Sequence, residues 1–473
     1  MHTTSLSKKV KSKTYYSRNT LTKRWIFLVL PWRISIFLFR HLVNDNHERN
    51  TLEATKFLEL AVLRYGSKKY FAERFVKFPM VLGSIPEPSL NQLTRAVVLL
   101  RKSPELRAKV SDEIHESLAG ISHKEMNAHR WKLFSLALTG FGFVRAGTIA
   151  RSNCLAAALD EADTEKASDR TLHMAIRGLI ESRRFEEANN FIQRHGERLG
   201  LLSVGELYCT YLNFLNQKFP KITTNNHKIM SDSANIARIL IADKNIALVA
   251  TGELTSPSGM EIDSYDSVAR VKFQGNTTIP DPEFAGTRCD ITVFTQELVD
   301  KFLYLNSKDN KSLEFLERVK LVVVKQSEKV EFGFIKTLNM GQWAPTFLTT
   351  ATSGTLFLFE LLRHNPKSLK LFAFNFYTQR SIYNSKLMTH LNNPRSLREI
   401  GLPKNWFKFS SERKNSAIIA SGFVNHDPRS DFLLVKNLYE LSGLIDGTPE
   451  VLEILNLTAD EYDARLEEML GDW

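Results

Sequence analysis

From Thr51 to about Leu215, apolar positions recur three and four residues apart, the spacing of one helical face. "TLEATKFLELAVLRYG" shows the pattern and stops at Gly66, where a helix C-terminus favours glycine. "RTLHMAIRGLIESRRFEEANNFIQRHG" predicts two helices joined by a turn at Arg183–Arg184. The pattern then breaks in "NQKFPKITTNNHKIMSDS", a polar stretch carrying Pro220, which sets a domain boundary near residues 216–240. Beyond it, short β-rich runs ("NIALVATG", "DITVFT", "VKLVVVK", "LKLFAFNF") alternate with helical stretches such as "GTLFLFELLRHN". That alternation predicts an α/β domain over residues 236–473, with a mostly parallel, Rossmann-like sheet and helices on both faces.

The helical part, residues 49–225, has the small-residue and aromatic spacing of a tetratricopeptide-type hairpin. One hairpin does not make an array, which needs at least about three units. A helical, solenoid-like domain is the expectation, serving either as plain packing or as a dock for an acceptor or partner. The chain has 473 residues, enough for two or three domains, and 43% hydrophobic against 24% charged residues is globular composition.

Charge narrows the partners. Much of the net charge of +11 sits in "SKKVKSKTYYSRNTLTKR", with the rest spread along the chain, and it favours anionic ligands or surfaces. No helix-turn-helix, zinc-finger or RNA-recognition pattern accompanies it, which argues against nucleic acid. Cys154, Cys209 and Cys289 are too scattered for a disulfide framework or a zinc site and suit a reducing compartment. In the segment 1–48, "RWIFLVLPWRISIFLFRHLV" is broken by Pro31 and Arg33, short of the roughly 20 apolar residues that cross a bilayer. It also lacks a small-residue cleavage site. Its cations and tryptophans suit a membrane interface, and a helix packed on its own core is the alternative. A cytoplasmic protein, peripheral to the inner face of the membrane, is expected.

Three stretches can carry chemistry. In "ALVATGELTSPSGMEIDSYDSVARVKFQG", a buried strand ends at Val249–Ala250 and places Thr251 and Gly252 at its carboxyl end, where backbone N–H groups can meet phosphate. An ordinary strand–turn has the same pattern. In "APTFLTTATSGTLFLFELL", Thr352, Ser353 and Gly354 close a hydroxyl-rich loop before an apolar helix, fit to cap the helix or to bind an anion there. In "SGFVNHDPRSDFLLVKNLYE", His426 follows a short strand beside Asp427 and can act as a general base near neutral pH, or be merely hydrogen-bonded.

The three in this order resemble the large, small and very small motifs of the sialyltransferase family of animals and plants. Ala247–Gly252 and Gly259–Arg270 follow the large motif, and Gly286-Thr287-Arg288-Cys289-Asp290 is similar to its later glycine–aspartate element. Thr352-Ser353-Gly354 through "LKLFAFNF" resembles the small motif. Asn425-His426-Asp427, with Phe432 displaced by a short insertion, resembles the very small one. The resemblance covers roughly Asn245 to Glu440.

It implies a sialyltransferase-like, GT-A-variant domain that transfers a 2-keto acid sugar, sialic acid or Kdo, from its cytidine-monophosphate (CMP) form to a hydroxyl of a glycan, capsule or lipopolysaccharide acceptor. Thr251, Gly252 and Lys272 would line the nucleotide site. Thr352, Ser353 and Gly354 would hold the donor's carboxylate or phosphate, and His426, with Asp427, would supply the base. No metal or other cofactor is expected, because helix dipoles and neutral donors can stabilise the leaving nucleotide.

Thr251 and Lys272 stand where the family has asparagine, the family's inter-motif disulfide has no cysteines here, and Tyr383 is the nearest match to its third motif. These departures, with the helical half, imply a distant, bacterial relative. Asp263, Asp266 and Arg270 are expected to knit the helix after the first strand to the sheet, since a carboxylate would repel phosphate. The rival reading is a helical-repeat scaffold or binding protein whose nucleotide-binding-like domain does no catalysis.

Overall fold

A computed structural model describes residues 107–470, except most of 200–231, most of 274–280, most of 296–317, 326–336, 341–344, 380–425 and a few single positions. Contacts divide the chain into two units, Met1–Leu106 and Arg107–Trp473, and only the second holds described residues. The basic N-terminal segment, the helix expected to end at Gly66, Cys209, Tyr383 and most of the expected boundary at 216–240 lie outside the description.

The second unit opens with helices α1 (Arg107–Ala119), α2 (Ala128–Gly140), α3 (Val144–Ala162), α4 (Asp169–Glu181) and α5 (Phe185–His195). Ser168 caps α4 by accepting the Thr171 N–H. The α4–α5 turn falls where the sequence predicts it, with Arg183 in the left-handed region at φ 58°. α3 is the hub: Ala146, Ala150, Cys154 and Ala158 are buried along it, and its small side chains let α2 and α4 approach closely.

The sheet follows α6 (Asp232–Ile241). Strands β1 (Asn245–Val249), β2 (Ser267–Val271), β3 (Ile291–Thr295), β4 (Leu321–Lys325), β5 (Thr337–Met340), β6 (Ser368–Phe372) and β7 (Ile445–Gly447) pair in the order β5-β4-β3-β2-β1-β6-β7. Every pairing is parallel, and β1 through β4 read as near-continuous apolar runs because both faces are covered. Crossovers are made by the short α7 (Gly259–Ser264) and α8 (Pro282–Ala285), and by α9 (Ser353–Leu362), which is buried at every position but its first. The helices α10 (Pro428–Ser442), α11 (Pro449–Leu455) and α12 (Ala459–Leu470) complete the fold.

The order runs outward from β1 in both directions, so its one reversal falls between β1 and β6. In open α/β sheets, ligands lie outside the carboxyl ends of the strands at such a point. The opposite edge of the sheet is tied by charged residues of the Gly259–Arg270 stretch and of the glycine–aspartate element. Asp263 accepts the Thr287 and Arg288 N–H groups at 2.9 and 3.0 Å. Arg270 donates to the Arg288 and Ala285 carbonyls at 2.7 and 2.6 Å, and Asp290 accepts the Val268 N–H at 2.9 Å. Asp266 accepts the Asn245 N–H at 2.8 Å, fixing the start of β1. A side chain at Gly259 would sit 2.0 Å from the Pro282 carbonyl oxygen, so glycine lets α7 rest directly on α8. This edge is structural.

Candidate functional site

At the carboxyl edge, continuing the β1–β2 register sets Thr251 opposite Lys272. Gly252 donates its N–H to the Ala373 carbonyl at 3.2 Å, and a Cβ there would lie 2.5 Å from that oxygen. Gly252 is thus required by the close approach of the loop to the end of β6. Ala373, Phe376 and Tyr377, which follow β6, have φ of 59°, 44° and 64°, and Lys272 has φ 58°. Non-glycine residues rarely hold this conformation, and such strain gathers at ligand sites.

The hydroxyl-rich loop meets this edge at the start of α9. Thr352 is the N-cap, its hydroxyl accepting the Thr355 N–H. Asp431 takes the Thr352 N–H at 2.9 Å. No described residue takes the Ser353 or Gly354 N–H, leaving two donors at the positive end of a ten-residue helix. Lys325, the last residue of β4, donates from Nζ to the Ala351 carbonyl at 3.4 Å.

His426 pairs its backbone with Thr350, and the Asp427 N–H donates to the Thr350 carbonyl at 3.1 Å. Burial, then the charges of Lys325 and Lys272, push the imidazole down to about 4, so it is neutral at pH 7. Its Nδ1 is buried without a hydrogen-bond partner. His426, Lys272, Lys325 and the α9 N-terminus therefore form one electropositive cluster at the carboxyl edge.

Asp427 is elsewhere. Its Oδ2 accepts from Arg151 Nη2 and from the Leu348 N–H, both at 2.8 Å, and its Oδ1 accepts the Ser430 N–H, capping α10. Burial opposes its charge, but Arg151 and these hydrogen bonds hold it below the usual carboxylate range. No hydrogen bond joins it to His426. At the turn into α10, successive side chains diverge, and Asp427 braces the hydroxyl-rich loop instead of orienting the imidazole.

No protein-family model and no curated protein matches the chain. The site must be judged on its geometry. Among the described residues, no group of His, Cys, Asp or Glu is arranged to hold a metal ion, and no helix is long and apolar enough to cross a membrane.

Sequence reading missed Lys325, Arg151 and Asp431. Lys325 was signalled by its place, a lysine ending an apolar strand. Asp431 was signalled by its spacing four residues after Asp427, on the same helix face. Its carboxyl is 2% exposed, its Oδ1 has no partner, and burial raises it to about 7 although the Thr352 hydrogen bonds oppose the shift.

The sign of the resulting pH effect is definite. The folded state holds this proton more tightly than an unfolded aspartate does, so ionisation penalises folding increasingly from about pH 4 to 7 and fully above 7. Asp431→Asn removes the penalty and still accepts the Thr352 N–H. The variant is expected to unfold at higher urea than the parent at pH 8, by on the order of 2 kcal/mol, with the gap closing by pH 4. A gap of the same size at both pH values would mean that Asp431 does not titrate in this range.

Proposed function

We propose that this edge binds a nucleotide-activated acidic sugar and that the protein is a glycosyltransferase of the sialyltransferase kind, using a CMP-linked 2-keto acid sugar, sialic acid or Kdo. What carries the reading is the convergence of Lys272, Lys325, His426 and the two open N–H groups of α9 at the carboxyl edge of an all-parallel sheet. Two cations and a helix N-terminus suit a phosphate and a carboxylate on one small ligand. The expected acceptor is a glycan or lipid-linked glycan hydroxyl at the cytoplasmic membrane face.

In the reaction, the acceptor oxygen attacks the anomeric carbon. The bond from that carbon to the phosphate oxygen breaks, CMP leaves with the electron pair, and the acceptor proton passes to His426. An imidazole held near 4 is a weak base. A bound anion neutralises the very lysines that depress it, so the donor itself raises the basicity of His426.

The first test is calorimetric titration with CMP, with uridine and guanosine monophosphates as controls and no added metal. Selective CMP binding is expected, weakened roughly ten- to hundredfold in Lys325→Met, the range for losing one charged hydrogen bond. Gly354→Val, whose Cβ would press on the Phe374 ring at 3.2 Å, is expected to weaken it as well.

One observation favours the rival reading, a non-catalytic binding scaffold. The Asp431 carboxylate already occupies the Thr352 N–H, where a ligand oxygen could have bound. A folded protein that binds none of the three nucleotides would support the scaffold.

A further inference from the structure

The last helix of the fold reaches back to the carboxyl edge. Tyr462, in the first turn of α12, is fully buried. Its hydroxyl donates to the Phe376 carbonyl at 2.6 Å and lies 3.1 Å from the Pro428 carbonyl. Carbonyls only accept, so one phenolic hydrogen is held between two main-chain oxygens. One of them belongs to the loop that leaves β6. The other opens α10, two residues after His426.

We propose, on the transferase reading, that Tyr462 is a positioning residue for the candidate site, pinning the loop after β6 to the turn that carries His426.

Within the stretch 373–377, Ala373, Phe376 and Tyr377 all sit in the left-handed region. Non-glycine residues stay there only when their surroundings leave no alternative. Tyr462 supplies such a constraint at Phe376. Among the described residues no other group donates to the Phe376 carbonyl, and Phe376 is 6% exposed. The rings repeat the connection. Tyr462 lies flat on Phe432 of α10 with 4.0 Å between centroids, and Phe432 meets Phe376 edge-on at 6.2 Å. Phe376 in turn lies 5.7 Å from Phe374, the ring beside Gly354. At its start the same loop accepts the Gly252 N–H through Ala373. A shift at Phe376 therefore reaches the nucleotide loop on one side and the α9 N-terminus on the other. Burial raises the phenol well above its ordinary range, so the hydroxyl keeps its hydrogen at every working pH.

The test is Tyr462→Phe, which keeps the ring and its stack and deletes only the hydroxyl. The control is Glu467→Gln, which loosens α12 elsewhere, at its hydrogen bonds to Arg145. Full-length parent and variants are titrated with CMP by calorimetry, and amide hydrogen exchange is followed at Gly252 and Thr378. Tyr462→Phe is expected to bind CMP at least tenfold more weakly and to exchange faster at both amides, while Glu467→Gln matches the parent. Turnover at saturating CMP-activated donor is expected to fall roughly ten- to hundredfold in Tyr462→Phe, the cost of a displaced reacting geometry. Parent-like affinity and turnover in Tyr462→Phe overturn the assignment. So does an equal loss in Glu467→Gln, because Tyr462 would then act only by docking α12. If the parent binds no CMP, the transferase reading falls and exchange alone decides. Faster exchange in Tyr462→Phe but not in Glu467→Gln then supports the tie, and unchanged exchange overturns it.

Discussion

Arg151→Met is expected to cost about 3–5 kcal/mol of folding free energy. The guanidinium is 8% exposed, and it faces Glu181 and Asp427, each 4% exposed. Nε donates to Glu181 at 2.6 Å, and Nη2 donates to Asp427 at 2.8 Å and to Ser430 Oγ at 2.7 Å. Removing the cation leaves Asp427, at the start of α10, without a counter-charge and Glu181, on the helical layer, with only the longer contact to Arg429 at 3.6 Å. Adding Glu181→Gln and Asp427→Asn to Arg151→Met removes the stranded charge, and this triple variant is expected to recover most of the loss. Urea unfolding of the parent, single and triple variants checks it. A single variant within 1 kcal/mol of the parent would show that water or protons reach the carboxylates.

His426→Ala is expected to leave CMP affinity within about threefold while lowering turnover of the CMP-activated donor by roughly 10²–10⁴, the range for losing a general base. The expectation rests on the transferase reading, so a second measurement is needed that does not depend on an acceptor. The imidazole proton resonances of His426 should titrate near 4 in the free protein and higher with CMP bound, because the phosphate screens Lys272 and Lys325. Unchanged turnover in the alanine variant would move the base elsewhere. A titration that ignores the nucleotide would remove the link between His426 and the anion site.

The sheet was legible because parallel strands are buried on both faces and read as unbroken apolar runs, and the Arg183–Arg184 turn because α4 and α5 have strong helical periodicity. The loop exits at Gly252 and Thr352 could be found because small residues mark strand ends and helix caps. What the sequence hid is pairing across distance. Nothing in its local pattern connects Arg151 to Asp427, 276 positions away. For the same reason Asp427 reads as a partner of its neighbour His426, although the turn into α10 aims it at α3. Lys325 becomes meaningful only once the strand order sets the end of β4 on the same edge as His426.

The first turn of α10 grips the hydroxyl-rich loop almost wholly by its main chain. Asp427 takes the Leu348 N–H, Ser430 the Phe347 N–H and Asp431 the Thr352 N–H. A grip on peptide groups does not depend on the side chains that those peptides carry. Drift along 349–353 can change the side chains the loop presents without loosening it, whereas drift at 427, 430 or 431 removes an anchor. Across a lineage, the side chains on the loop can change while its mounting on α10 stays constant.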